Sequence, residues 1–494
     1  MPPVAAGLLV FLTSASVLVL EILAVRLLAP YVGATLETYT AIIGVVLGGI
    51  AAGSWAGGRI ADLVPPRRVL GPMLLAGGVL ALCVTPAVRL LGTVAHGGHP
   101  AAVVALATAG FFAPAAVLSA VAPAVVKLQL ADLAQTGRVV GRLSAVGTAG
   151  AILGTFVTGF LLVAALPTTR ILLGLGTGLA ATGLALTLRP PRGRLPVGLA
   201  ALALAAGALG PALGDPCHVQ TPYFCARVLP DPASPGSRLL ILDDLLHSHV
   251  DLGDPARLEL GYTRTIAGVL DTAGGSPRPK QARPGAPLDA LHVGGGGFTL
   301  PRWLAATRAG ARSLVLELDP AVVRLARERL GLVTGPSLRV RTGDARLTLA
   351  EQPDHAYDAV VGDAFGGRAV PWHLATREFA AQVRRVLRPG GVYAVNVIDL
   401  PPLGFARAET ATLRAVFGHV AVLAPPERLA GREGGNFVLV ASDAPLRLDA
   451  IRARGAARGG YGAAAGGADL DRFVGPARVL TDDHAPVDQL LSRD

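Results

Sequence analysis

Residues 290 to 320, "ALHVGGGGFTLPRWLAATRAGARSLVLELDP", are the stretch on which the fold turns. An apolar run enters four glycines, the helical pattern "TLPRWLAATRA" follows, and "SLVLELD" is a second apolar run carrying Glu317 and Asp319 at its end. Strand, glycine turn, helix, strand and terminal acid, in that order, describe one unit of a parallel sheet with helical crossovers. The order then repeats. "AVVRLARERLGL" reads as a helix, "LRVRTGDA" as a strand ending at Asp344, and "YDAVVGDAF" as a strand ending at Asp363. Ligands of open α/β sheets lie beyond the carboxyl ends of the strands, and these acids all fall there.

Each of these residues has a physical task. Gly294, Gly295, Gly296 and Gly297 let the backbone approach a ligand closely and adopt positive φ without a Cβ clash. Glu317, 23 residues after Gly294, is placed to accept hydrogen bonds from both ribose hydroxyls. Asp344 can hold an adenine amino group or nearby backbone, and Asp363 would face the reacting end. Together they predict a nucleoside-binding site; the alternative is a sheet that keeps its glycines for tight turns alone.

Upstream the character of the chain changes. Of 494 residues, 52% are hydrophobic but only 5% aromatic, and the mean hydropathy of +0.53 is too high for one soluble enzyme. The formal charge of +10 does not point to nucleic acid, because no Lys/Arg-rich run is interleaved with aromatics. Apolar stretches near 5–30, 38–58, 69–92, 101–127, 143–165, 170–188 and 196–214 are each long enough to cross a ~30 Å hydrocarbon layer as a helix. They predict seven spans and a multi-pass protein of the cell membrane, with the lipid bilayer as its partner. A removable signal peptide is disfavoured, since the first span lacks a basic leader and carries Glu21 and Arg26. That Glu and Arg read either as a satisfied bundle residue beside an interfacial cation or as a ligand or ion site.

Charge bias orients the bundle. Arg59, Arg67, Arg68, Lys127, Arg138, Arg142, Arg189, Arg192 and Arg194 fall in one set of loops, against Arg26, Arg89 and Arg170 in the other. Nine against three places the N-terminus in the cytoplasm, and seven spans then deliver everything past residue 215 outside. A nucleoside ligand drawn from the cytoplasm argues the reverse. Cys83 reads as a buried small apolar side chain. Cys217 and Cys225, in "DPCHVQTPYFCARV", allow a disulfide, two thiols or, with His218, a metal site.

The expected organisation is a membrane domain over 1–215, a small β-rich unit over 216–271, a Pro/Gly-rich loop over 272–287 and a Rossmann-like α/β domain over 288–494. In the β-rich unit, alternation along "LHSHV" would put His247 and His249 on one face, as polar lining of a cleft, an acid/base pair or a metal pair.

Several motifs carry a resemblance. "HVGGGG", "LVLELDP", "RTGDARL", "YDAVVGDAF", "VPWHLATREFAAQVRRVLRPGGVYAVNV" and "LTDDHAPVD" resemble the spermidine synthase-like branch of the S-adenosylmethionine-dependent methyltransferase fold. "VLEILAVRLLAPYVG" and "AIIGVVLGGIAAGSWAGGRIAD" resemble its membrane-fused bacterial members. The resemblance implies decarboxylated S-adenosylmethionine as co-substrate, bound by Gly294 to Gly297, Glu317 and Asp344, with Asp363 removing a proton from the attacking amine. No permanently bound cofactor and no metal are implied; the acceptor is a small amine, and a homo-oligomer is compatible.

The departures from the family pattern concern the acceptor. "DAFGG" lacks a second acid, the family's Tyr-His-Glu element falls on Tyr262, Thr263 and Arg264, and its Gln position on His247. Tyr262 and His247 are therefore the candidate acceptor-side residues, and an Arg in place of a Glu would repel a diamine. Two other activities stay open: methyl transfer from S-adenosylmethionine itself, and non-catalytic nucleoside binding or transport.

Overall fold

The computed structural model describes residues 1–33, 36–93, 100–130, 132–188, 205, 215–273 and 287–491. The expected span at 196–214, the basic cluster Arg189, Arg192 and Arg194, and nearly all of the loop at 272–287 lie outside the described residues. The chain divides into two compact units, Met1–Cys225 and Ala226–Asp494.

In the first unit, six helices among the described residues are long and apolar enough to cross a membrane: α1 (Pro3–Val32), α2 (Leu36–Leu63), α3 (Pro66–Gly92), α4 (Pro100–Gln129), α5 (Leu133–Ala165) and α6 (Thr168–Leu188). Lipid tails are as apolar as leucine, so such helices hold together by close packing rather than by the hydrophobic effect. Small residues make that packing. A Cβ on Gly53 of α2 would sit 2.0 Å from the Ala116 carbonyl oxygen of α4, and one on Gly57 would sit 2.4 Å from that of Ala120. Gly150 and Gly154 of α5 press in the same way on Phe11 and Ala15 of α1. α4 and α5 each carry a π-helical turn, at Thr108–Phe112 and Val157–Leu162.

The second unit opens with antiparallel strands β1 (Cys225–Asp231), β2 (Ser234–Leu242) and β3 (Leu245–Asp251). Helix α7 (Gly261–Leu270) follows. The main body alternates β4 (Asp289–Val293), α8 (Thr299–Thr307), β5 (Arg312–Glu317), α9 (Pro320–Arg329), β6 (Leu338–Thr342), α10 (Ala345–Ala350) and β7 (Tyr357–Gly362). It closes with α11 (Arg377–Val386), β8 (Leu387–Asp399), α12 (Gly404–Arg414), β9 (His419–Leu423), β10 (Gly435–Ser442), α13 (Leu448–Ala457) and β11 (Ala464–Ala465).

Eight strands form one sheet in the order β11-β9-β10-β8-β7-β4-β5-β6. The run from β8 to β6 is parallel, while β10 and β9 are antiparallel additions at the other side. Both faces are covered, which parallel sheets require. Phe379, Tyr393, Phe405 and Phe437 fill one side, and Ile266, Leu270, Trp303 and Leu304 belong to a second buried cluster that includes Val438 and Val440. The order reverses between β4 and β7, because β5 and β6 are laid to one side and β7 and β8 to the other. That reversal opens a crevice at the carboxyl ends of β4 and β7.

Candidate active site

The glycine turn leaves β4 with Gly294 at φ 93° and Gly296 at φ 49°. A Cβ on Gly294 would meet the Asp363 carbonyl oxygen at 2.4 Å, so the two strand ends at the switch point touch because this residue has no side chain. The amides of Gly295 and Gly296 donate to one Glu317 carboxylate oxygen at 2.8 and 3.3 Å. The other oxygen accepts from the Asp319 amide at 2.9 Å. Glu317 therefore organises the turn as well as ending β5. Burial raises its pKa above the ordinary value even against these amide bonds. Gly297 donates to the Ser248 hydroxyl at 2.9 Å, which ties the turn to β3.

Asp344 caps α10, accepting from the amides of Arg346 and Leu347 at 2.8 and 3.2 Å. Its second oxygen lies 3.1 Å from the His373 ring nitrogen. The exposed indole of Trp372 stands edge-on to that ring at 5.7 Å.

Asp363 follows β7 and keeps part of its surface open to the crevice. One oxygen accepts from the Asn396 amide at 2.9 Å, the other from the Tyr262 hydroxyl at 3.1 Å. Asn436 donates in turn to Asn396 at 3.0 Å. Desolvation pushes the Asp363 carboxyl up to about 6, although both hydrogen bonds pull the other way. Burial and the adjoining carboxylate hold the Tyr262 phenol well above its usual range, so it stays a neutral donor. Tyr262, Asp363, His292, Ser248 and the first two glycines line a cavity of about 20 Å³, room for roughly one water molecule.

His247 and His249 do not share a face. The pairing of β2 with β3 runs Leu240 to Ser248 and then Ile241 to Leu246, which leaves His247 as the extra residue of a β-bulge. A bulge breaks the two-residue alternation and re-aims the side chains around it. His249 pairs with Asp231 at 2.9 Å, whereas His247 stands edge-on to Phe365 in the loop after Asp363, at 6.5 Å. Burial lowers the His247 pKa to about 4, so it is neutral at physiological pH. The Arg264 charge is likewise engaged. Its guanidinium donates to the Leu258 carbonyl at 2.6 Å and lies 3.4 Å from Glu259, which offsets the repulsion expected from an Arg at this position.

Asn396 is the site residue that reading the sequence misses. It sits in the middle of the apolar run "VYAVNVID", where a lone polar residue was the available signal. Among the described residues no group of three or more His, Cys, Asp or Glu is arranged to hold a metal ion.

Residues 291–395 match the family model of a methyltransferase domain. The chain is 32% identical over 187 residues to the polyamine aminopropyltransferase of Vibrio vulnificus, covering 37% of this chain and 56% of that protein. It is 36% identical over 142 residues to polyamine aminopropyltransferase 2 of Streptomyces coelicolor, covering 26% of each chain. The crystal structure of a probable spermidine synthase from Corynebacterium glutamicum is 29% identical, with a TM-score of 0.48 over 53% of this chain and 95% of that one. The chain thus spans about half or less of the length of the two curated relatives it matches.

Proposed function

We propose that the protein is an integral-membrane aminopropyltransferase that moves the aminopropyl group of decarboxylated S-adenosylmethionine onto a small amine. The observation that carries this reading is the placement of Asp363, clamped by Tyr262 and Asn396 against the glycine turn, where desolvation pushes its carboxyl up to about 6. A protonated amine has no lone pair, and a carboxylate that ionises just below neutrality can take its proton as attack proceeds. The amine nitrogen forms a bond to the carbon beside the sulfonium, the carbon–sulfur bond breaks, and its electrons leave neutral methylthioadenosine. The proton passes to Asp363.

The donor residues fit this chemistry. Glu317 holds the turn in shape, and the missing side chains at Gly294, Gly295 and Gly297 let Asp363, Phe298 and Ser248 close against it. Asp344 and His373, with Trp372 beside them, offer polar and aromatic surface for the adenine. The six apolar helices support membrane integration, which alkaline washing of membranes checks directly.

Methyl transfer from S-adenosylmethionine is the second reading, favoured by the methyltransferase family match and by the missing second acid after Asp363. Incubating the purified full chain with each donor and an amine separates the two. Methylthioadenosine from the decarboxylated donor supports aminopropyl transfer; adenosylhomocysteine from the methyl donor supports the alternative; neither product means a binding protein.

A further inference from the structure

The segment between α6 and the second unit is docked on the bundle at a defined end. Arg26, near the end of α1, donates to the carbonyls of Thr221 and Pro222. Arg89, in the last turn of α3, lies 3.8 Å from Asp215. The amide of Thr168, the first residue of α6, donates to the Gln220 side chain at 2.8 Å, and Gln220 is held in turn by Asp215. The ends of α1 and α3 and the start of α6 lie at one end of an up-and-down bundle. Residues 215–222 therefore sit at the end opposite Met1.

Helix α6, however, finishes at Leu188 on the Met1 side, since its 21 residues span about 31 Å. The chain changes ends between Leu188 and Asp215.

Charge tells the two ends apart. Among the described residues the Met1 end carries Arg59, Arg67, Arg68, Lys127, Arg138 and Arg142, and the other end Arg26, Arg89 and Arg170. Basic loops stay in the cytoplasm. The docked segment also holds a Cys217–Cys225 disulfide, a bond that persists in oxidising, extracytoplasmic compartments. Docking, charge and the disulfide are separate observations and agree.

We infer that the chain enters its second unit on the extracytoplasmic face of the membrane, so that the transferase-type site works outside the cytoplasm. This rests on the membrane reading above but not on the identity of the group transferred. A charged sulfonium nucleoside made in the cytoplasm must then be delivered by a transport step, and the thioether product is released outside.

Two cysteine reporters test this in the full-length chain carrying Cys83→Ala, with the Cys217–Cys225 bond intact. Val333→Cys lies in the second unit and Leu133→Cys at the start of α5 on the Met1 side of the bundle, and both positions are 82% exposed. The expected result is that a membrane-impermeant maleimide labels Val333→Cys in intact cells and Leu133→Cys only after lysis. The reverse pattern overturns the inference, and so does equal labelling of both. Release of the protein by alkaline washing would instead overturn the membrane reading, and a lost activity with the expected labelling would count against the transferase reading alone.

Discussion

The Tyr262 hydroxyl donates to the Asp363 carboxylate at 3.1 Å across 101 positions of sequence. The bond joins the first turn of α7 to the end of β7 and fixes the carboxylate between a phenol and the Asn396 amide. Both donors favour the ionised form, and burial opposes them more strongly. The outcome is a carboxylate that changes charge close to neutrality.

Replacing Asp363 with Asn should lower kcat about 10²–10⁴-fold while leaving donor affinity nearly unchanged, since the amide keeps the shape and cannot accept a proton. Steady-state rates together with calorimetric donor binding check this. Near-normal turnover would move the base elsewhere.

The pH dependence follows from the raised pKa. Activity should fall as pH drops through about 6, where Asp363 takes up its proton. Tyr262→Phe removes a hydrogen bond that favours the charged form, so the acid limb should move to higher pH. Stability runs the opposite way. A carboxyl whose folded pKa lies above its unfolded value near 4 contributes stability below that value and loses it as pH climbs through the folded pKa. Asp363→Asn should therefore gain thermal stability over wild type as pH rises from about 4 to 7. Parallel melting curves across that range would contradict the buried-carboxylate account.

Glu317→Ala should weaken nucleoside binding by roughly 2–4 kcal/mol, because bonds to a charged group contribute about 1.5–3 kcal/mol each. The same change frees the amides of Gly295, Gly296 and Asp319. A lowered melting temperature without ligand should accompany the lost affinity, and calorimetry with an unchanged affinity would defeat the site assignment.

Gly294→Ala places a Cβ 2.4 Å from the Asp363 carbonyl at φ 93°. The left-handed backbone alone costs about 1–2 kcal/mol, and the clash pushes β4 and β7 apart. Loss of stability and of donor binding together is expected. A variant that melts and binds like wild type would mean that the strand ends are not so closely apposed.

Much of this was legible because period and punctuation were strong. The glycine turn, the strand-end acids and the alternation of strands with helices follow from local pattern, and they place Gly294, Glu317, Asp344 and Asp363 at one sheet edge. What was not legible depends on pairing between distant segments. The bulge that separates His247 from His249 is a property of the register of β2 against β3, and no local pattern announces it. Asn396 acquires its role only because β8 runs beside β7, bringing its amide to Asp363. The bond between Cys217 and Cys225 was one of three open readings, and the Arg26 contacts to Thr221 and Pro222 span nearly two hundred residues.

The most direct test of aminopropyl transfer follows an isotopic label in the aminopropyl carbons of decarboxylated S-adenosylmethionine. The account predicts that the label appears on the acceptor amine in step with methylthioadenosine, and that Asp363→Asn abolishes both while still binding donor. Label that stays on the donor, with methyl transfer and adenosylhomocysteine formed from S-adenosylmethionine instead, would contradict it.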